Sequence, residues 1–491
     1  MDKPNILFIV WDATRHDICS CYGYPQKTTP HLDQLAEDGT LYEQAITAAP
    51  WTLPAMTSIF TGLYPSQTDI YLRRKLTDDY QTLAELFQQG GYATFGISNN
   101  DWFSADFGLQ RGFDYMHKLW QLFQTQNDIT NLSVVEPDRS DSRIANNALR
   151  KALRGKFLQN AANAVYYKTF RNFKDHGASR TAKPLTQWIA RQQKPWFAFV
   201  HYLDPHLQYR PPLEFVKQFA HDLPRCQRLL KSDQWRLCWR HNAGIDLLSE
   251  EDLQAWRDLY LAEVAYTDYH TGQVITWLKK TGQWENTAVI ITADHGENLG
   301  EHGLLNHSYS LHDPLAHVPL VIRHPGGQGG GQRVAQQVQT IDLFATMLDM
   351  AGLPIPPHVV SQSLLAESYD RQFALSEYGM PIPPHAAAMA RFGLKPEDLA
   401  YRQKGMTALR STTHKLVLDT NGAERLFDLQ ADPQELHDIA SAQPELMAAY
   451  RQALRDIWQR HGIRGLIGLP TKYAPVDPEL EKRLHDLGYL E

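Results

Sequence analysis

The feature that most constrains this chain is a pair of apolar runs, far apart in sequence, that each deliver a carboxylate. Ile6–Val10 is uninterrupted and leads through Trp11 to Asp12, and Thr287–Thr292 leads through Ala293 to Asp294. Short runs without alternation are the mark of strands buried on both faces of a parallel sheet. Open α/β sheets bind ligands beyond the carboxyl ends of such strands. Both acids are therefore predicted at one edge of one sheet, in a shared site. Trp196–Tyr202 reads as another buried strand, and Tyr92–Ile97 and His317–Arg323 as two more. Helices are predicted between them. One is Pro30–Glu37, with Thr29 as N-cap, Pro30 at the first helical position and Gly39 beyond the end. Others are Thr82–Gln89 and a long helix from a Ser249 cap to Lys280, with Leu253, Trp256, Tyr260, Val264 and Leu278 on one face.

At 491 residues the chain exceeds what one hydrophobic core usually serves, about 250–300 residues. Pro354, Pro356 and Pro357 interrupt it, and from Arg371 the pattern changes to short strands and a closing helix, Pro444–Arg460. The expected division is a catalytic α/β domain over 1–370 and a smaller α+β subdomain over 371–491. The formal charge of −7 is mild for this length and argues against nucleic acid as a partner. No stretch approaches the ~20 apolar residues of a membrane span, and the N-terminal run is too short for a signal sequence, so a soluble, cytoplasmic protein is expected. Cys19, Cys21, Cys226 and Cys238 are too sparse and irregular for a disulfide framework and are expected to be buried or incidental thiols. Gly326–Gly331 lacks the Lys-Ser/Thr ending of a phosphate loop and is predicted to be a turn. The segment Arg150–Lys174 interleaves Arg150, Lys151, Arg154, Lys156, Lys168, Arg171 and Lys174 with apolar residues. It reads first as a solvated helix face, and second as a lid or docking face for an anionic substrate or membrane surface.

Several motifs follow one another in fixed order. Asn5–Asp12, Thr29-Pro30-His31-Leu32-Asp33, Trp51-Thr52-Leu53-Pro54 and Thr61-Gly62-Leu63-Tyr64-Pro65 open the chain. Asp294-His295-Gly296-Glu297, Gly300-Glu301-His302-Gly303, Val318–Arg323, Leu426-Phe427-Asp428-Leu429, Asp432–Glu435 and Leu487-Gly488-Tyr489-Leu490 come later. Together they resemble a sulfatase-family protein of the alkaline phosphatase superfamily, from about residue 4 to the end. The resemblance implies an α/β fold with a mostly parallel central sheet flanked by helices and a smaller C-terminal α+β subdomain. It also implies that Thr52 stands where the family places its nucleophile.

The residue chemistry supports the same site. Asp12, Asp294 and His295 offer hard oxygen donors and an imidazole, a set suited to Mn²⁺, Zn²⁺, Mg²⁺ or Ca²⁺. A threonine hydroxyl is almost wholly protonated at neutral pH, and metal coordination activates it, making Thr52 a ligand as well as a nucleophile. The bland alternative is that Thr52 only caps the helix that follows. By resemblance, Asn100 (with Asn99 as the fallback), His206 and His307 contact the anionic group, His206 and His307 also assisting catalysis. Asp204, His206 and His307 could instead hold a second cation.

Departures from the family's usual pattern bear on the substrate. The Cys or Ser that is oxidised to formylglycine is replaced by Thr52, the usual arginine by Met56, and a second carboxylate by Ala13. This resembles the threonine-using phosphodiesterases and phospho-group transferases. The expected activity is metal-dependent cleavage of phosphate esters, phosphodiesters or phosphonate esters, in a small-molecule, lipid or glycan substrate. The alternatives are a sulfatase working without formylglycine, a phospho-group transferase, and a catalytically dead binder of anionic glycans or lipids.

Overall fold

The computed structural model describes residues 3–124, 157–169, 174–379 and 386–465. Its strands, in chain order, begin with β1 (Asn5–Trp11), β2 (Thr40–Ile46), β3 (Ala93–Ser98), β4 (Tyr115–Lys118), β5 (Trp196–Tyr202) and β6 (Thr287–Ala293). There follow β7 (Asn298–Leu299), β8 (Leu305–Asn306), β9 (His317–Val318), β10 (Leu320–Arg323) and β11 (Gln332–Gln339). The last four are β12 (Ala374–Tyr378), β13 (Met406–Arg410), β14 (His414–Asp419) and β15 (Glu424–Asp428). The central sheet has the order β11-β2-β10-β6-β1-β5-β3-β4, with β9 pairing β2. β1 lies at its middle, parallel to both β5 and β6. A second, antiparallel sheet, β12-β13-β14-β15, follows in the C-terminal part. This is the α/β architecture expected, a mostly parallel sheet flanked by helices with a smaller sheet behind it.

The two-faced burial of β1 explains its composition. Ile6, Phe8 and Val10 point into a cluster with Phe197, Phe199, Leu53 and Phe60. Leu7, Ile9 and Trp11 point the other way, into a cluster with Trp256, Tyr260 and Val264. The second face is covered by the helix Glu250–Lys280, capped as expected by Ser249, whose hydroxyl accepts from Asp252 N at 3.2 Å. Its first turn carries Glu250, Glu251 and Asp252 and its last Lys279 and Lys280, complementing the helix dipole. The expected face of Leu253, Trp256, Tyr260, Val264 and Leu278 is buried throughout. Tyr260 also donates to Ala13 O at 2.7 Å and accepts from Arg15 N, fixing the loop that follows Asp12.

The local expectations differ from the structure at several points. His317–Arg323 is two short strands rather than one, divided at Pro319, which lacks the N–H that would continue the ladder. β10 runs antiparallel to β6 and β2. The first predicted helix extends to Asp38, and Thr29 does not cap it, because its hydroxyl accepts from Ser20 N at 3.0 Å instead. β2 and β11 escaped prediction because Thr40–Ile46 and Gln332–Gln339 are rich in polar residues. The Gly326–Gly331 stretch is a turn leading into β11. The four cysteines are free thiols, and no helix among the described residues is long and apolar enough to cross a membrane. Of the basic segment, Arg150, Lys151, Arg154, Lys156, Arg171 and the Lys168 side chain lie outside the described residues, as do Leu487–Leu490.

A buried charge cluster joins the two sheets. Asp313 accepts from Lys415 Nζ at 2.7 Å on β14 and from Arg410 Nη2 at 3.0 Å on β13, while Lys415 also pairs with Glu435 at 2.9 Å. Burial alone would raise the Asp313 carboxyl, but Arg410 and Lys415 outweigh it and hold it well below the usual range. An acid with a depressed folded value stabilises above its unfolded value, near ~3.9, and that stability is lost as pH falls toward the folded value. Asp313→Asn should therefore be less stable than wild type at pH 6, with the gap closing as the pH falls through 4 to 3. Urea midpoints of the two proteins across that range measure it; a gap independent of pH contradicts the assignment.

Candidate active site

The carboxyl ends of β1, β5 and β6 meet. The register Trp11↔Ala293 sets Asp294 level with Asp12, and Val10↔His201 sets His201 two residues below. Asp12 and His201 continue the faces of Val10 and Phe199, the side on which the helix Thr52–Thr61 packs. Thr52 is the first residue of that helix, with Trp51 as N-cap, and its hydroxyl makes no capping bond. Instead Thr52 Oγ1 lies 3.5 Å from Asp12 Oδ2 and 3.4 Å from His295 Nε2. His295 Nε2 is 3.5 Å from Asp12 Oδ1 and 3.6 Å from Asp294 Oδ2. Ligand atoms sharing a cation at about 2.0–2.2 Å stand roughly 3–4 Å apart, which is the spacing seen. Among the described residues, Asp12, Asp294 and His295 are the group whose donor atoms converge closely enough to hold a metal, all within 4.8 Å of one another.

The hydrogen bonds leave that centre open. Asp294 Oδ1 is taken by Ala13 N at 3.2 Å and His295 N at 2.9 Å, whereas Asp294 Oδ2 and Asp12 Oδ1 have no hydrogen-bond partner despite complete burial. Burying an unpaired carboxylate is costly, and a cation held between these oxygens would offset that cost. His295 Nδ1 lies 2.9 Å from Gly296 O, which can only accept, so the proton sits on Nδ1 and the Nε2 lone pair faces the centre. Burial lowers His295 to about 4, keeping the ring neutral at physiological pH. Burial and Asp294 push the Asp12 carboxyl well up; burial also acts on Asp294, but His295 and His201 outweigh it and hold that acid low.

The expected anion contacts surround this centre. Asn100 Nδ2 donates to Asp12 Oδ2 at 3.2 Å while its Oδ1 caps the turn at Trp102 N. Asn99 turns away, donating to His176 O at 2.6 Å. The His307 ring lies 4.4 Å from that of His295 and 5.0 Å from that of His206. Burial lowers His307 to about 4 and holds His206 well below its ordinary value. Asp204 does not join His206 and His307 as a second metal set. Its oxygens accept the N–H groups of His176 and Ala178, both at 3.1 Å.

Sequence reasoning missed two residues. His201 directs Nε2 toward Asp12 Oδ2 at 3.6 Å and Asp294 Oδ2 at 3.8 Å. Its signal was present: a lone ionisable residue near the end of an apolar strand is seldom placed there for packing. Glu297, fully buried, lies 3.1 Å from His307 Nδ1 and accepts from the Tyr209 hydroxyl at 3.2 Å. Burial pushes its carboxyl up to about 8.

Comparison with known proteins identifies the family. Residues 4–353 match the family profile described as Sulfatase. The chain is 26% identical over 478 residues to an uncharacterized sulfatase, YidJ, of Escherichia coli strain K12, covering 93% of this chain and 88% of that one. Arylsulfatase K of Bos taurus is 25% identical over 474 residues, covering 93% and 82%. The structure of phosphonate monoester hydrolase of Agrobacterium radiobacter superposes with a TM-score of 0.67 at 23% identity, over 94% of this chain and 96% of the other. BT4656 in complex with D-glucosamine-2-N,6-O-disulfate gives 0.68 at 18% identity, over 94% and 99%. The chain belongs to the sulfatase family, metal-dependent hydrolases of the alkaline phosphatase-like superfamily.

Proposed function

We propose that this protein cleaves phosphate esters, phosphodiesters or phosphonate esters, using Thr52 as its nucleophile. The observation that carries the reading is the Thr52 hydroxyl, buried at a helix start and facing Asp12 and His295 at 3.5 and 3.4 Å. Threonine is not converted to the aldehyde of formylglycine, so a nucleophile at this position is the hydroxyl itself. Asp12, Asp294, His295 and Thr52 would hold one divalent cation, Mn²⁺, Zn²⁺, Mg²⁺ or Ca²⁺, which supplies a lowered hydroxyl pKa and neutralises anionic oxygens when bound. Thr52 Oγ1 attacks phosphorus as its proton leaves to solvent or base, and the bond to the leaving oxygen breaks. Asn100 donates to a non-bridging oxygen, and neutral His307 supplies one N–H to the same group or to the departing oxygen, while His206, whose Nδ1–H is directed at Leu207 O, meets that group with Nε2 and donates there once it has taken up a proton. The resulting phospho-threonine ester is released by water, or by an alcohol if the protein is a transferase.

The phosphonate monoester hydrolase fold neighbours, from Agrobacterium radiobacter and Silicibacter pomeroyi, support the phosphorus-ester reading. The sulfatase relatives favour a second reading, sulfate-ester cleavage without formylglycine. Metal-supplemented assays across phosphomonoesters, phosphodiesters, phosphonates and sulfate esters separate the two. The diester or phosphonate arm should have the highest kcat/KM; a dominant sulfate arm overturns the first reading. Removing metal with a chelator should abolish turnover and lower the melting temperature, both restored by adding the ion back.

An open cavity of about 530 Å³, with Gln208 in its wall two residues after His206 in the chain, also suits an anionic substrate. It is lined by Lys174, Arg210, Lys231 and Arg391, against one carboxylate, Asp233, which already pairs with Arg391 at 3.3 Å. Lys174→Ala/Lys231→Ala should raise KM for an anionic substrate roughly three- to tenfold with kcat little changed. An unaltered KM removes the cavity from the binding site.

A further inference from the structure

The buried His201 imidazole is not used by the chemistry above, yet it aims at the same centre. Its Nε2 points between Asp12 Oδ2 and Asp294 Oδ2, at 3.6 and 3.8 Å, and makes no hydrogen bond. On the other side Nδ1 lies 3.4 Å from Ser98 Oγ, and Asn100 N donates to that same Oγ at 2.8 Å. A ring held at one nitrogen by an oriented hydroxyl, with the other directed at carboxylates, is how metal-ligating histidines are supported. The neighbouring loop offers no other donor there, because Ala13 has no polar side chain and spends its N–H on Asp294 Oδ1.

We propose that His201 Nε2 is a further ligand of the cation held by Asp12, Asp294, His295 and Thr52, making the donor set two imidazoles, two carboxylates and a hydroxyl. This rests on the reading of Asp12, Asp294 and His295 as metal ligands. Two imidazoles select a first-row ion such as Zn²⁺ or Mn²⁺ over Ca²⁺ and Mg²⁺, which prefer oxygen donors throughout. The competing role is a protonated His201 that neutralises the two acids, and the two roles differ in sign. Removing a ligand weakens metal binding, whereas removing a nearby positive charge strengthens it.

Zn²⁺ and Ca²⁺ affinities of wild type, His201→Ala and the bulk-preserving His201→Gln, measured by calorimetry with a competing chelator, decide between them. Zn²⁺ binding should weaken roughly 10–100-fold in both variants, with Ca²⁺ affected far less. Unchanged or tighter Zn²⁺ binding in a folded variant overturns the proposal. Pulsed EPR of the Mn²⁺-loaded wild-type protein tests it without any substitution: nitrogen couplings from two coordinated imidazoles are expected, and couplings from one refute it. If wild type binds no divalent ion at all, the reading of the three core ligands falls together with His201. A bound ion with a single imidazole removes His201 alone.

Discussion

Replacing Thr52 with alanine should lower kcat about 10⁴- to 10⁶-fold on the best phosphorus ester, the scale at which loss of an enzyme nucleophile is felt. The variant should nevertheless fold. The Thr52 hydroxyl caps nothing, and its nearest polar neighbours stand at 3.4 and 3.5 Å, so truncation severs no strong hydrogen bond. Alanine is also a better helix residue at the start of Thr52–Thr61 than threonine. Melting temperature and far-UV circular dichroism should therefore match wild type within a few degrees. Thr52→Ser keeps the oxygen but loses the β-methyl that restricts χ1, and should retain activity within roughly tenfold. Rapid-quench mass spectrometry of wild type should find a phosphate adduct on Thr52 that is absent from Thr52→Ala. A folded Thr52→Ala within tenfold of wild type means that water attacks directly and that Thr52 is not the nucleophile.

Much of this centre was legible in the sequence because parallel sheets gather strand ends. Asp12 and Asp294 each follow an apolar run, and the shared register of β1 and β6 converts that pattern into proximity. His295 comes with Asp294 as its chain neighbour. Thr52, Asn100, His206 and His307 were placed by resemblance rather than by pattern, since each lies on a loop or helix start whose position depends on packing. His201 was hidden for a different reason. Within Trp196–Tyr202 it looks like part of a core strand, and only the pairing Val10↔His201 reveals which strand end it faces. Glu297 stood in a quoted motif, but its partner Tyr209 comes from a loop 88 residues away in sequence. The strands toward one margin of the central sheet were the least legible. The polar strands β2 and β11 owe their existence to pairing with each other and with β10, a tertiary cause that local composition does not carry.

The largest effect on stability is expected from Asp342→Ala. The Asp342 carboxylate is fully buried and accepts from Arg371 Nε at 2.6 Å and Nη2 at 2.5 Å, a two-pronged pair. It also accepts from the Tyr369 hydroxyl at 2.8 Å and from Gln362 N at 2.9 Å. The guanidinium is 6% exposed. Without the acid it keeps only Tyr64 Oη at 3.2 Å and Val360 O at 3.3 Å, so a charge remains buried and unpaired. Breaking one partner of a buried pair costs about 3–5 kcal/mol, more than the pair contributes relative to a hydrophobic replacement. The consequence reaches the nucleophile helix, because the same segment sends Val360 N and Ser361 N to Gly62 O at the end of Thr52–Thr61. Gly62 has φ 68°, and a Cβ there would meet the Phe344 ring at 2.8 Å, so the joint cannot be rebuilt around a larger residue. Asp342→Asn, which keeps one acceptor oxygen, should lose less than Asp342→Ala. The double variant Asp342→Ala/Arg371→Met, which removes the stranded charge, should recover part of the loss. Urea midpoints and slopes of the four proteins test this ordering. A double variant no more stable than Asp342→Ala would show that lost hydrogen bonds, rather than the stranded guanidinium, set the cost.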